Sequence, residues 1–352
     1  MPDPVIIIMT LMIFAIGVTM IMTSSSAFAL NATGNPYYFA IRQIMLAGFG
    51  AALVVVILFV PYELLRFLAL PVMLLVFVFF ALLRTGFAVT INNATRWIEI
   101  AGIQFQPSET AKVALVLFFA WWLARAQARS IVQAVVPLLA MGVTVFFTLR
   151  GPDLGTALII AGGCYCLLLQ TKIPVRWFVL AAPVVAAAVF WKIYNTPYQM
   201  DRILGWQYPW EYSSGIGLQY VQSQLAFARG GLFGVGVGAS EQKYRLPESY
   251  TDSIFAIVGE ELGFILTLML VVFYVILIFR CFEVASKCRD DFGRYLAFGL
   301  TVMLALQTCV NMATASGLMP ITGVTLPLVS YGGTSVIVTI ISIGLILDVS
   351  RE

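Results

Sequence analysis

Ten apolar runs, parted by short polar connectors and two long ones, make up most of this 352-residue chain. They cover residues 5–22, 44–60, 67–83, 111–123, 132–149, 154–169, 175–193, 254–279, 295–313 and 324–347, and the last can start as late as Ser335. A helix crosses a bilayer with about 20 mainly apolar residues, or fewer where flanking side chains reach the interface. The pattern therefore predicts an all-α integral membrane protein of about ten transmembrane helices, with the runs at Ala111 and Leu154 short for the task. The first run could pass for a signal peptide, but it lacks a basic leader and nine more follow, so it reads as a retained span. No internal repeat is evident, which disfavours the repeat-built transporters.

An even number of crossings returns both termini to one side, and the Lys/Arg distribution says which. Connectors on the side of the termini carry Arg66, Arg125, Arg129, Lys172, Arg176, Arg280, Lys287, Arg289 and Arg294, with Arg351 after the last run. The short connectors opposite hold Arg42, Arg84, Arg96, Lys112 and Arg150. The excess makes the termini cytoplasmic and turns two polar segments outward: 84–110, and the long loop 195–253 between helices 7 and 8. That loop is rich in Trp, Tyr, Gly and charged residues, so order is expected of it. The whole, 1–352, reads as a single polytopic membrane domain.

Composition sharpens the class. The chain is 61% hydrophobic and 11% charged, against roughly 45–50% and about 25% in soluble domains, and only lipid can cover that much apolar surface. A net charge of +3 is small and says little about partners; a nucleic-acid role would need a concentrated basic face, and no nucleic-acid partner is expected. Cys164, Cys166 and Cys309 lie in apolar runs and Cys281 and Cys288 in a charged connector, so no disulfide framework is expected. Histidine is absent. That removes the commonest general base, the commonest zinc ligand and every imidazole triad, and leaves acid–base work to Asp, Glu, Lys or Tyr.

The carboxylates gather at one place. In LPESYTDSIFAIVGEELGF (246–264), Glu248 and Asp252 precede an apolar run while Glu260 and Glu261 fall inside it. An ionised side chain at that depth costs several kcal/mol unless paired or wetted. Asp252, at the mouth, stays charged more cheaply, so a base belongs there and the deeper pair can be structural. Glu109 and Asp153 sit near helix starts, where the macrodipole alone favours them, and Arg96 with Trp97 could be an interface anchor. GVGVG at 234–238 lacks a strand–turn–helix context and is no dinucleotide fingerprint.

Taken in order, NNATRWIEI with QPSETAK, PDLGTA, GGLFGVGVGASEQKYRLPESYTDSIFAIVGEELGF and MPITGVTLPLVSYGGTS resemble the SEDS family of FtsW, RodA and SpoVE proteins, nearer the FtsW/SpoVE branch. The resemblance implies a peptidoglycan glycosyltransferase. It would polymerise lipid II, a disaccharide-pentapeptide on undecaprenyl diphosphate, at the outer face of the bacterial cytoplasmic membrane. Its partners would be a class B penicillin-binding protein and other division or elongation proteins. It also implies Asp252 as the catalytic acid and Arg96, Trp97, Lys112, Asp153, Gln242, Lys243, Glu248 and Ser330 as substrate-binding positions. Two departures stand out. The family commonly reads HTDF where this chain reads Tyr250-Thr251-Asp252-Ser253, and little chain follows the last run, so no long cytoplasmic tail is expected.

The cations expected outside are Arg96, Lys112, Arg202, Arg229, Lys243 and Arg245, with Arg96 the first choice for a diphosphate because a guanidinium is bidentate. A divalent ion, magnesium or manganese, could assist, but no ligand cluster fixes one. The alternative functions are a flippase for the same lipid-linked precursor and a non-catalytic activator of a penicillin-binding protein.

Overall fold

The computed structural model describes residues 2–91, 94–100, 103–127 and 130–351. Asn92, Asn93 and Arg129 lie outside the described residues. Helix ends follow local chemistry. α1 (Pro4–Thr33) starts where the Asp3 carboxylate accepts the Val5 and Ile6 N–H groups, and it stops at Gly34, whose φ of 75° ends a helix without steric cost. α2 (Tyr38–Phe59), α3 (Tyr62–Leu82), α4 (Pro107–Ala126), α5 (Val135–Arg150), α6 (Leu154–Leu169) and α7 (Arg176–Tyr194) follow. The long loop then holds α8 (Pro197–Gln207) and α9 (Leu218–Gly230), and α10 (Ile254–Lys287), α11 (Asp291–Ala315) and α12 (Gly333–Val349) complete the chain.

α1 to α7 and α10 to α12 each carry one of the ten apolar runs, the last of them only from Gly333. The segments Pro4–Thr33, Tyr38–Phe59, Glu63–Leu82, Ile131–Arg150, Arg176–Tyr194, Ile254–Lys287 and Asp291–Ala315, 7 in all, are long and apolar enough to cross a membrane. α6 and α12 are shorter apolar helices. Large apolar side chains on many of them face outward, Phe59, Phe67, Val184 and Phe279 among them, as lipid contact requires. This is a multi-pass membrane protein.

α11 is the centre: 61% of its apolar window is buried, against 6% for α7. It packs on α4, α6, α10 and α12, with Leu296, Leu300, Leu115 and Phe119 in the core between them. α10 is kinked at Gly263 (φ 74°, ψ 178°), where a Cβ would meet the Gly234 nitrogen at 2.2 Å. A left-handed residue pressed on another backbone must be glycine.

Two features depart from a helix-only reading. Residues 84–110 include a three-stranded antiparallel sheet, β1 (Ala88–Ile91), β2 (Ala94–Ile100) and β3 (Ile103–Phe105). Val89 pairs with Trp97 and Ile98 with Phe105, and Ile98 is buried. TRWIEI is rich in β-branched and aromatic residues, which suit a strand.

Second, the run at 324–347 is helical only from Gly333. Residues 316–332 are irregular backbone that re-enters the bundle, with Leu326, Leu328 and Val329 buried. Non-helical backbone at that depth must find its hydrogen bonds in protein, and side chains from four helices supply them. Tyr274 of α10 donates to the Pro327 carbonyl. From α11, Gln307 donates to Thr325 O at 3.0 Å and Asn311 to Val324 O at 2.7 Å. Arg202 of α8 donates to Ile321 O at 2.8 Å and Gln43 of α2 to Ser330 O at 3.1 Å.

Candidate functional site

Asp252 occupies the turn that feeds α10. The turn closes on the Glu248 carbonyl, which accepts the Thr251 and Ser253 N–H groups at 3.1 and 3.3 Å, and Glu248 takes φ 53°, uncommon for a residue with a Cβ. The segment is stitched to the re-entrant backbone twice. The Tyr331 N–H donates to Tyr250 O at 2.9 Å, and Asn311 Nδ2 donates to Asp252 O at 2.9 Å.

These contacts set Asp252 in a cleft of about 350 Å³ at one end of the bundle, within the usual range for small-ligand sites. Three guanidinium groups line it, Arg42, Arg96 and Arg202, with the rings of Trp97, Tyr198, Tyr250 and Tyr331, and with Glu248 and Gln106. Thr325, Thr334, Ser335 and the backbone of Gly323, Gly332 and Gly333 form its polar lining from the re-entrant segment and the start of α12. Gly323 takes φ 70°, and a Cβ there would lie 3.8 Å from Arg202 Nη2 and 3.9 Å from Asp252 Oδ2. Acid and guanidinium therefore flank the same glycine.

Burial pushes the Asp252 carboxyl up to about 6; the Glu248 carboxylate adds to the rise and Arg202 opposes it. The result is a carboxylate largely ionised at neutral pH and more basic than an exposed one, which suits a general base. Tyr250 goes the other way as a candidate: burial, helped by Glu248 and Tyr331, pushes its phenol up to about 12, too high for a base at neutral pH.

Four of the nine positions expected from sequence meet in the cleft: Asp252, Glu248, Arg96 and Trp97. Arg96 is partly committed, since its Nε donates to Gly151 O at 2.5 Å and its Nη2 to Pro152 O. The other five lie outside the cleft lining. Lys112 is buried, donating to both Glu109 oxygens at 2.9 and 3.0 Å and to Gln307. Asp153 caps α6 through Thr156 N–H and accepts from Gln106 Nε2 at 3.2 Å, so it reaches the cleft only through Gln106. Gln242 is buried with its N–H on Glu260 at 3.2 Å. Lys243 donates to Gly238 O at 2.7 Å and lies over the Tyr244 ring. Ser330 Oγ accepts the Leu326 N–H at 2.7 Å. A polar group away from the cleft either faces water or finds an internal partner: among the described residues the Gln242 Oε1 is buried with no partner and the Lys243 bond is exposed, whereas Lys112, Asp153 and Ser330 find internal partners. Glu260 does too, accepting from Ser240 Oγ and from the Glu241 and Gln242 N–H groups.

Sequence reasoning passed over Arg42, Gln106 and the three tyrosines of the cleft. Arg42 carried a signal, a cation within an apolar helix. The tyrosines carried none, because they come from three separate segments.

Among the described residues no three Cys, Asp or Glu side chains converge as a metal-ligand set. Glu248 and Asp252, which both line the cleft, would be the carboxylates to hold a hydrated magnesium ion whose other ligands came from substrate phosphates.

Known proteins match along the whole chain. The FtsW/RodA/SpoVE family profile, described as cell cycle protein, matches residues 4–352. A Geobacter sulfurreducens protein called probable peptidoglycan glycosyltransferase FtsW is 34% identical over 99% of this chain and 95% of its own length. Stage V sporulation protein E of Bacillus subtilis is also 34% identical, over 99% of this chain and 97% of its own. Among solved structures, one described as structural coordination of polymerization and crosslinking by a peptidoglycan synthase complex aligns with a TM-score of 0.81 at 28% identity, over 99% and 98% of the two chains. Thermus thermophilus rod shape determining protein RodA aligns with a TM-score of 0.74 at 27% identity, over 99% and 97%. With a family match across the chain, relatives covered almost end to end and the same architecture, this chain belongs to the FtsW, RodA and SpoVE family.

Proposed function

We propose that this chain is a peptidoglycan glycosyltransferase that polymerises lipid II, with Asp252 as its general base. The observation that carries the reading is the Asp252 carboxylate, with Glu248 beside it, set among three guanidinium groups in a cleft at one end of a lipid-embedded bundle. The 4-hydroxyl of an acceptor sugar attacks the anomeric carbon of the donor, and its proton passes to the Asp252 carboxylate. The new carbon–oxygen bond forms as the bond to the diphosphate breaks, and that electron pair leaves with the lipid diphosphate. Displacement from the opposite face turns an α-linked donor into a β-linked product. A glycosidase needs a second carboxyl to protonate a poor leaving group; a diphosphate does not.

Arg42, Arg96 and Arg202 stabilise the departing charge, which develops most in the transition state. Arg42 and Arg202 share the task first given to Arg96; each of the three spends part of its donors on protein, Arg96 on the 151–152 backbone, Arg202 on Ile321 O and the Tyr198 hydroxyl, and Arg42 on the Tyr38 hydroxyl. The tyrosine and tryptophan rings offer apolar faces to the sugars, and Glu248 keeps Asp252 basic. The cleft faces outward and the termini lie in the cytoplasm, as the Lys/Arg excess supports. The peptidoglycan synthase complex that aligns with this chain supports a penicillin-binding transpeptidase as partner.

The test is polymerisation of labelled lipid II by the protein with its cognate transpeptidase, whose serine is blocked. Wild type yields a muramidase-sensitive ladder and Asp252→Asn yields none. Equal ladders would remove Asp252 as the base. No ladder from either, with lipid II still crossing vesicles, would favour a flippase.

A further inference from the structure

We infer that Asn311 is the positioning residue of the general base: from inside α11, its side-chain amide joins the backbone of Asp252 to the backbone that forms the cleft floor. The inference rests on the reading of Asp252 as base.

Asn311 is fully buried. Its Nδ2 donates to Asp252 O at 2.9 Å and to Val324 O at 2.7 Å. A primary amide nitrogen carries two N–H groups on one neutral atom, which is what two converging carbonyls require. Turned end for end, the amide would set its own oxygen against both carbonyl oxygens, so the orientation follows from the acceptors. Aspartate offers no donor when ionised, leucine offers none at all, and serine can serve only one of the two carbonyls.

The Asp252 carbonyl needs this partner. It lies one residue before the Ser253 cap of α10, and the first helical bond of that turn, from Ala256 N–H, goes to Ser253 O. Helix formation therefore leaves the Asp252 carbonyl unused. The Asn311 bond ties down this carbonyl, and with it the backbone from which the Asp252 carboxyl reaches Gly323. The second acceptor is as well placed. Val324 follows Gly323, the residue flanked by Asp252 Oδ2 and Arg202 Nη2, and Arg202 is tied to the same segment through Ile321 O. One nitrogen thus sets the base and the backbone that carries its nearest cation. Gln307, one turn earlier, pins Thr325 in a similar way but does not touch the acid turn.

The experiment compares wild type with Asn311→Leu, Asn311→Ser and Asp252→Asn, each as full chain in complex with the blocked transpeptidase, by lipid II polymerisation from pH 5 to 8. Leucine matches asparagine in shape; serine is smaller and decides the matter if leucine fails to fold, with melting temperature and partner co-purification as checks. Loss of the clamp is expected to lower kcat about 10- to 100-fold, as a displacement of about 1 Å does, with KM little changed. The acid limb should also move to lower pH, because a carboxyl freed from its burial is better solvated. Glu248 and Arg202, which act on Asp252, and Arg42, Arg96, Tyr250 and Tyr331 in the same cleft are chemically unchanged in every Asn311 variant, so the movement reports position. Unchanged kcat and limb in Asn311→Ser, beside an inactive Asp252→Asn, would overturn the inference. So would a fall in rate with the limb unmoved, which would make Asn311 structural only. An active Asp252→Asn would remove the base itself and this inference with it.

Discussion

Asp252 draws its character from three neighbours that pull in different directions: the burial around it, the Glu248 carboxylate and the Arg202 guanidinium. Removal of a general base typically costs about 10²–10⁴ in rate, so Asp252→Asn should cost that much in the ladder assay without a lower melting temperature. The sign of the pH effect follows from the raised pKa. Activity depends on the ionised form and should rise through pH 6. Stability runs the other way: with a folded value near 6 and an unfolded value of about 3.9, the native state binds more protons between those values. The contribution of this group to stability therefore grows as pH falls through that window. Arg202→Gln removes the opposing cation, and the activity limb should move to higher pH; a limb that stays in place would mean that Arg202 does not act on the acid. From the residues alone only Asp252 stands out, at the mouth of an apolar helix; Glu248, Arg96 and Trp97 enter as site positions through the family resemblance, since Arg96 and Trp97 in a short strand read equally well as an interface anchor. The inward turn of Lys112 was legible only in hindsight: QPSETAK places Glu109 and Lys112 three residues apart, the spacing of a helix ion pair.

Helices could be read from the run lengths; the re-entrant element could not. VTLPLV is apolar whether it is helix or buried irregular chain, and the groups that satisfy its carbonyls stand on other helices, Gln43 some 287 residues before Ser330. No local pattern encodes such partners. The element is correspondingly sensitive to single deletions. Tyr274→Phe leaves the Pro327 carbonyl buried without its donor, an expected loss of about 1–3 kcal/mol, which thermal unfolding of the purified protein would register. No shift in melting temperature would mean that the carbonyl finds another donor. The small sheet was hidden for a different reason. Its strands are three to seven residues long, too short for alternation to stand out in a chain dominated by apolar helices.

At the scale of the molecule, the chain sorts its surface into a lipid-facing belt and a polar end, and the orientation of that end is open to direct test. On a background without native cysteines, Tyr244→Cys in the long loop and Lys287→Cys at the end of α10 are both exposed positions. An impermeant maleimide should label the first on intact cells and the second only after permeabilisation; the reverse would invert the topology and put the cleft in the cytoplasm. The re-entrant segment also bears on how the protein is made. Residues 316–332 leave the ribosome after all the helices before α12, yet they hold the Tyr331, Val324 and Gly323 backbone on which the acid turn depends. A nascent chain with α10 already inserted has its carboxylate but no surface to seat it. On the reading of Asp252 as base, the protein should be inactive through most of its own synthesis and competent only once residues 316–332 fold back among helices already in the bilayer.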